Sequence, residues 1–457
     1  MRARWWLFAI VLAADVLDLI DATVTTVAAP IIVRDLVGDA SLVPWLGLSY
    51  ALALGSLLVV GARLGDRFGQ RRTFLVGLVG FTLASLSCGA AWSPVAIVAF
   101  RLVQGAFGAL LIPQGFSMLL RAFPRAELGR AFGLFGPLMA IGSIGGPVLA
   151  GLLIQADIVG VGWRSIFLIT GVIGGALLVA AVRVLPAGDG DPSVRIDPGS
   201  SAAIMLGLLG LIGGVIVGGE NGWGSPPVAA IAVGAVFLAV FVRLQRRSST
   251  PLLEPSLFRV RTFIAGVTVR TVFFAAVSGL LYVVSLFLQI GEGLSPFETA
   301  GIMVVLSVGI IATSFGLREH IQRLGRRLVL VGILVTIAGI LGFLGAVVGL
   351  PGKNVLLVGP LLIAGLGMGC CFGSLFATAL GDVHEDEAGS ASGTLNALQQ
   401  VANAVGAALV STVFLALGSG TDTRTATLAS LGIIGAILVV AACLTPLLPR
   451  HAAADRH

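Results

Sequence analysis

The chain has 457 residues, of which 57% are hydrophobic and 11% charged, and its mean hydropathy is +1.04. A soluble chain carries about 25% charged residues, so a water-facing surface cannot be built from this composition and the solvent is lipid. The formal net charge of +6 is concentrated in short connections between apolar runs, without aromatic interleaving. That is the pattern of membrane orientation, not of nucleic-acid binding.

Apolar runs of about 20 residues, each able to cross a hydrocarbon core of about 30 Å, predict fourteen spans. They lie at 6–33, 43–63, 73–92, 95–120, 131–156, 163–185, 201–218, 227–244, 263–290, 297–317, 327–349, 355–380, 389–417 and 425–447. The start, Arg2-Ala-Arg4 before an apolar run, is similar to a signal peptide, but the run is too long and holds three acids, so an uncleaved first span is expected. An even count puts both termini on one side. Twenty-two basic residues then fall on the terminal side and four (Arg34, Arg164, Lys353, Arg424) on the other, with Arg101 and Arg270 inside spans. Such an asymmetry places both termini in the cytoplasm, and a thirteen-span reading would scramble it. The longest polar connections, 186–200 and 246–261, leave no room for a soluble domain. The acidic run Asp382-Val-His-Glu-Asp-Glu387 reads as a solvated loop. Glycine, at 63 residues, suits close helix contact in lipid. All four cysteines lie in apolar segments, where small packing residues are expected and no disulfide framework.

The first span carries Asp15, Asp18 and Asp21. Three-residue spacing turns a helix by roughly 300°, so the carboxylates share one face. A charge near the bilayer centre costs about 2.5–3.5 kcal/mol on insertion scales. Something must offset that cost, and a proton or a cation is the natural candidate. Carboxylates this close titrate as a coupled set. Arg101, in the fourth span, requires an acid from another helix, because a buried unpaired guanidinium is very costly. Arg270 lies near the cytoplasmic third of the ninth span and is expected to snorkel.

Gly142, Gly146, Pro147 and Gly151 leave a groove along one face of the fifth span, for close packing with a bend at the proline. In the thirteenth span Asn396, Gln399, Gln400 and Asn403 either line a cavity or bond between helices; Asn396 and Gln400 share a face. Gln289 and Tyr282 are weaker lining candidates. Trp223 reads as an interfacial anchor at an external turn.

The loop between the second and third spans, Gly61-Ala-Arg-Leu-Gly-Asp-Arg-Phe-Gly-Gln-Arg-Arg72, has glycines that permit a tight turn. Its Asp66 is placed to pair with an arginine or to cap a helix start. A plain turn with anchoring arginines is the alternative. A related loop, Gln322-Arg-Leu-Gly-Arg-Arg327, recurs eight spans later. If the seventh and eighth spans are an inserted hairpin, the rest is two six-helix halves, a transporter architecture. The expected division is 1–190, 191–250 and 251–457.

Together these segments resemble the major facilitator superfamily, and within it the fourteen-helix drug:proton antiporters. The loop with Gly61, Gly65, Asp66, Arg67, Gly69, Arg71 and Arg72 is similar to that family's cytoplasmic gate. Leu19-Ile-Asp-Ala-Thr-Val-Thr-Thr-Val-Ala-Ala-Pro30 resembles its first-helix signature, with Asp21 at the acidic position. Arg101-Leu-Val-Gln-Gly-Ala-Phe-Gly-Ala109 resembles the fourth-helix motif implicated in proton coupling. Gly142-Ser-Ile-Gly-Gly-Pro-Val-Leu-Ala-Gly151 resembles the motif associated with antiporters. Trp163-Arg-Ser-Ile-Phe and Pro251-Leu-Leu-Glu-Pro extend the likeness over essentially the whole chain. Gln322 departs from it, standing where the first gate has Asp66, so weaker ion pairing is expected in the second gate.

The resemblance implies an all-α polytopic membrane protein with the major facilitator fold, two six-helix halves plus an inserted two-helix hairpin. It implies a proton-coupled antiporter that exports lipophilic, cationic compounds by alternating access. The alternative is a dedicated exporter of one endogenous metabolite. Asp15, Asp18, Asp21 and Arg101 are the expected coupling and substrate residues; Gln289, Asn396 and Gln400 are the candidate cavity lining. No cofactor is expected beyond the proton gradient, and the unit is expected to be a functional monomer. An enzyme is disfavoured: there is no metal-ligand cluster, no nucleophile–base set and no phosphate-binding loop, and the four histidines fall in loops or the tail. The preference for arginine over lysine, with abundant Ala, Gly and Val, points to a high-GC bacterial source, and a bacterial cell (inner) membrane is the expected location.

Overall fold

The computed structural model describes residues 2–39, 42–124, 127, 142, 146, 149, 153, 161–186, 188, 190–194, 196–248, 251–317, 320–349, 354–384, 387–418 and 423–449. Among them there is no strand. The long helices are α1 Arg2–Asp35, α2 Val43–Phe68, α3 Gln70–Gly89, α4 Pro94–Ala122, α5 Arg164–Val184, α6 Pro198–Asn221 and α7 Ser225–Arg247. They continue with α8 Arg261–Leu286, α9 Pro296–Leu317, α10 Arg326–Gly349, α11 Val358–Leu380, α12 Ala388–Gly418 and α13 Thr423–Leu444. These thirteen occupy thirteen of the fourteen predicted spans. The fifth, 131–156, lies outside the described residues except for Gly142, Gly146, Leu149 and Leu153, which are helical. Twelve of the thirteen are long and apolar enough to cross a membrane by length and composition. The other, α1, is 34 residues long and carries the three aspartates.

Local chemistry explains where helices begin. Ser93 caps α4 by accepting from the Ala96 amide, with Pro94 in the first turn. Asp197 caps α6 by accepting from Gly199 and Ser200, with Pro198 following. Both use a short polar side chain to satisfy orphan amides and a proline that lacks one. The repeated loop is visible in the backbone: Gly69 (φ 91°) separates α2 from α3, and Gly325 (φ 45°) precedes α10 at the equivalent place. A left-handed residue at that turn favours glycine, which explains the shared Gly in two otherwise diverged loops.

One apolar core gathers residues of α1 to α7 together with Phe263 of α8, the end of α11 and much of α12, and a second is built within α8 to α13. The hairpin α6–α7 sits at the seam: α6 packs on both α2 and α12. Trp223, in the α6–α7 turn, donates its indole N–H to Thr412 of α12 at 2.7 Å and is half exposed, as expected of an anchor at a turn. Cys88, Cys370, Cys371 and Cys443 are free thiols, the first three buried.

Candidate functional site

Asp21 lies on α1 with no exposure, and Arg101, equally sealed, reaches it from α4. The guanidinium Nη1 donates to Asp21 Oδ2 and to Gln104 Oε1 (2.8 Å), and Nε donates to the Leu46 carbonyl (3.1 Å). Three partners reached from two guanidinium nitrogens hold it in a fixed plane, which suits arginine better than lysine, while Nη2 has no hydrogen-bond partner among the described residues. The Tyr50 ring lies under it at 4.4 Å. The Tyr50 hydroxyl donates to Asp18 Oδ1. Asp18 and Asp21 are therefore joined through a phenol and a guanidinium that touch each other. Asp15, also buried, has no hydrogen-bond partner on either oxygen among the described residues. The predicted partner for Arg101 is Asp21, and the three aspartates do share one buried face.

Tyr50 and Gln104 were not singled out from the sequence. The signal for Tyr50 was present: it is one of two tyrosines in the chain, and a phenol inside an apolar span needs a polar partner.

Sequence reasoning also missed the role of Arg270, and its expected snorkelling is corrected here. Arg270 on α8 is 2% exposed. Its guanidinium lies over the Phe376 ring at 3.6 Å and the Phe274 ring at 5.2 Å, so it packs within the bundle and does not extend to the interface. Its Nη2 donates to Gln399 of α12, and its Nε and Nη1 have no hydrogen-bond partner among the described residues.

Gln400 packs against Gly55 of α2, at the seam between the halves, and its Oε1 accepts from Asn403 at 3.2 Å. Asn396 donates to the Ser392 carbonyl one turn earlier. Gln289 is exposed at the end of α8 and donates to Ser285. These three are not brought together.

The gate loop joins the two halves at the arginine-rich end of the bundle. Arg63 pairs with Asp66 at 3.6 Å and with Glu254 at 2.6 Å, and also donates to the carbonyls of Pro251 and Leu252. The Asp66 carboxylate lies against Gly389, in the first turn of α12, where a Cβ would approach Oδ1 to 2.4 Å. A carboxylate at a helix N-terminus is favoured by the dipole. Gly61 and Gly65 let α2 approach α4, with Gln114 donating to the Gly61 carbonyl at 2.8 Å. Arg71 donates to the Val182 carbonyl at 2.6 Å, Arg67 lies over the Phe68 ring, and Arg72 is exposed. Beside this loop is a cavity of about 690 Å³ lined by Arg63, Asp66, Arg71, Arg121, Glu254 and Glu387 among others. Deeper in, the rings of Phe116 (α4) and Phe376 (α11) stack across the seam at 4.7 Å, and Ser392 of α12 donates to the Pro113 carbonyl. The halves are closed on each other at this end.

Gly142 and Gly146 lie against Leu19 and Thr23 of α1, so close that a Cβ at Gly146 would meet Thr23 Oγ1 at 1.8 Å. The groove therefore presses on the turn that carries Asp21. Pro147 and Gly151 lie outside the described residues. At the opposite end, Asp35 accepts from the Trp163 indole at 2.8 Å and from Arg164 at 3.2 Å. Those bonds, the indole's first, hold its carboxyl below the usual range.

Paired helical halves, sealed at one end around buried ionisable groups, define a polytopic membrane transporter, not an enzyme. The model of the Major Facilitator Superfamily matches residues 11–407, and the chain belongs to that family. It is 42% identical over 424 residues to the probable actinorhodin transporter of Streptomyces coelicolor, covering 91% of this chain and 73% of that protein. It is 33% identical to the puromycin resistance protein pur8 of Streptomyces alboniger (90% and 82% covered) and 31% identical to the multidrug efflux pump LfrA of Mycolicibacterium smegmatis (90% and 81%). In fold it is similar to the human organic anion transporter MFSD10, with a TM-score of 0.68 at 13% identity, covering 97% of this chain and 99% of that one.

Proposed function

We propose that this chain is a proton-coupled antiporter that exports lipophilic small molecules from the cytoplasm by alternating access. It stands with the fourteen-helix drug:proton antiporters, as a functional monomer with both termini cytoplasmic and the division 1–190, 191–250 and 251–457. The observation that carries this reading is the sealed Asp21–Arg101 pair, with Asp18 and Asp15 on the same helix face. From Asp21 to Asp15 is six residues, about 9 Å along the axis. A proton entering from outside neutralises Asp21 and releases Arg101 from it. Tyr50, which holds Asp18, is the hydroxyl through which the loss of that pair reaches the next carboxylate. Asp15, with no partner, is the group nearest the cytoplasm from which the proton leaves. Closure of the gate loop at the arginine-rich end makes the described state one that faces outward.

Names of relatives support export. An exporter dedicated to one endogenous metabolite is the second reading, favoured by the 42% identity to a probable transporter of a single named compound. The test is transport into inverted vesicles energised by a proton gradient. Asp21→Asn should reduce it to background while substrate binding persists. Undiminished transport removes Asp21 from the mechanism. A panel of unrelated compounds in the same vesicles separates broad from dedicated export.

A further inference from the structure

The buried ionisable groups of the two halves do not match. Apart from Glu298 at a span end, every acid inside the predicted spans lies on α1. Asp21 is taken by Arg101 and Asp18 by Tyr50. Arg270 is buried in the other half with the neutral amide of Gln399 as its hydrogen-bond acceptor and two guanidinium nitrogens unpartnered. A buried guanidinium without an anion is strongly disfavoured, and stacking on phenyl rings recovers part of that cost. Apolar side chains would fill the same volume without it.

The surroundings specify what the missing partner is. Arg270, Phe376 and Phe116 form a layered stack, the guanidinium on one face of Phe376 and the Phe116 ring on the other at 4.7 Å with 9° between planes. Phe274 and Phe372 stack beside it at 5.3 Å. Phe116 belongs to α4 and Phe376 to α11, so parting the halves at the gate end separates these two rings. Arg270 is nine residues into α8, about 14 Å from its cytoplasmic end, and losing the Phe116 ring leaves Phe376, which covers the guanidinium, free to turn aside.

We infer that Arg270, Gln399 and the Phe274–Phe372–Phe376 surface form a cargo site for an aromatic acid, uncovered when the cytoplasmic side opens. The acid group pairs with the free edge of the guanidinium, and the aromatic body lies against the Phe274–Phe372 stack beside it. This deepens the export reading and rests on it, and it moves the favoured charge of the cargo from the cationic expectation to anionic. Charge-assisted bidentate bonds make arginine selective for carboxylate over amide.

The test uses full-length protein in nanodiscs and a panel of matched pairs: naphthoate, anthracene-carboxylate and anthraquinone-carboxylate, each with its primary carboxamide, at neutral pH. Binding is read by thermal shift and tryptophan quenching. Acids should bind at least about tenfold more tightly than their amides. Arg270→Gln should bring the ratio close to one, and Arg270→Lys should keep part of it. Gln399→Glu supplies the counter-charge from within; it should raise the melting temperature and abolish the preference for acids. Equal binding of acid and amide, binding of neither, or an acid preference that survives Gln399→Glu overturns the site. Proton-driven transport by the same preparation, measured in parallel, shows whether export itself stands.

Discussion

Among the described residues, each half buries one arginine within a span at 2% exposure or less, and the two are treated in opposite ways. In the N-terminal half Arg101 is matched by Asp21 and Gln104 and lies over Tyr50. In the C-terminal half Arg270 has Gln399 and two phenyl faces, with no acid paired to it among the described residues. A matched pair in low dielectric is stable until a proton neutralises one member, which in the proposed mechanism makes it the proton-operated switch. An unmatched cation is a standing demand for an anion, which makes it a receptor. On this reading, the halves of a duplicated scaffold have divided energy coupling and cargo recognition between them.

The comparison breaks most visibly at Asp21. Asp21→Asn leaves Arg101 buried without its anion, at a cost of about 3–5 kcal/mol, seen as a large fall in melting temperature. Adding Arg101→Gln should restore much of the stability but none of the proton-driven transport. A smaller effect of opposite sign is expected in the other half. Arg270→Met removes a buried charge that has no counter-ion and should stabilise the cargo-free protein by about 1–3 kcal/mol, whereas Arg101→Met should not. Equal effects at the two sites would erase the distinction drawn above.

The link between the halves is weaker than either site. Glu254 is one-third exposed where it meets Arg63, so Glu254→Gln should shift the closed–open balance by about 1 kcal/mol, or roughly fivefold. In a background lacking native cysteines, Ser392→Cys, buried at the seam, should then be labelled faster by maleimide. The smallest effect belongs to the external latch. Asp35, held below the usual carboxylate range by Trp163 and Arg164, contributes its tie in full above about pH 4. The tie is lost as pH falls through the lowered value. Trp163 fluorescence should report that step on acidification, and Asp35→Asn should lack it.

Much of this was legible in the chain itself. Apolar run length and arginine asymmetry are one-dimensional signals, because the bilayer imposes one thickness and one charge bias on every span. Thirteen described helices therefore sit where spans were predicted. The paired glycines at 69 and 325 were legible too, since a positive φ favours glycine on local grounds. The three aspartates were legible because charge in lipid is conspicuous. Gln289 shows the limit: a polar residue in an apolar run is visible, but whether it faces a cavity is not, and it is exposed at a helix end.

What only the tertiary structure decided is which buried charge has a partner. Arg101 and Arg270 look alike in sequence, each a lone basic residue in a long apolar segment. Their difference comes from side chains 80 and 129 positions away, Asp21 and Gln399. Electrostatic pairing falls off over a few ångströms of space and is indifferent to distance along the chain. Composition and periodicity thus determined a helical membrane protein and the places of its spans; the packing of α1 on α4, and of α8 on α11 and α12, decided which arginine is matched and which is left to find an anion.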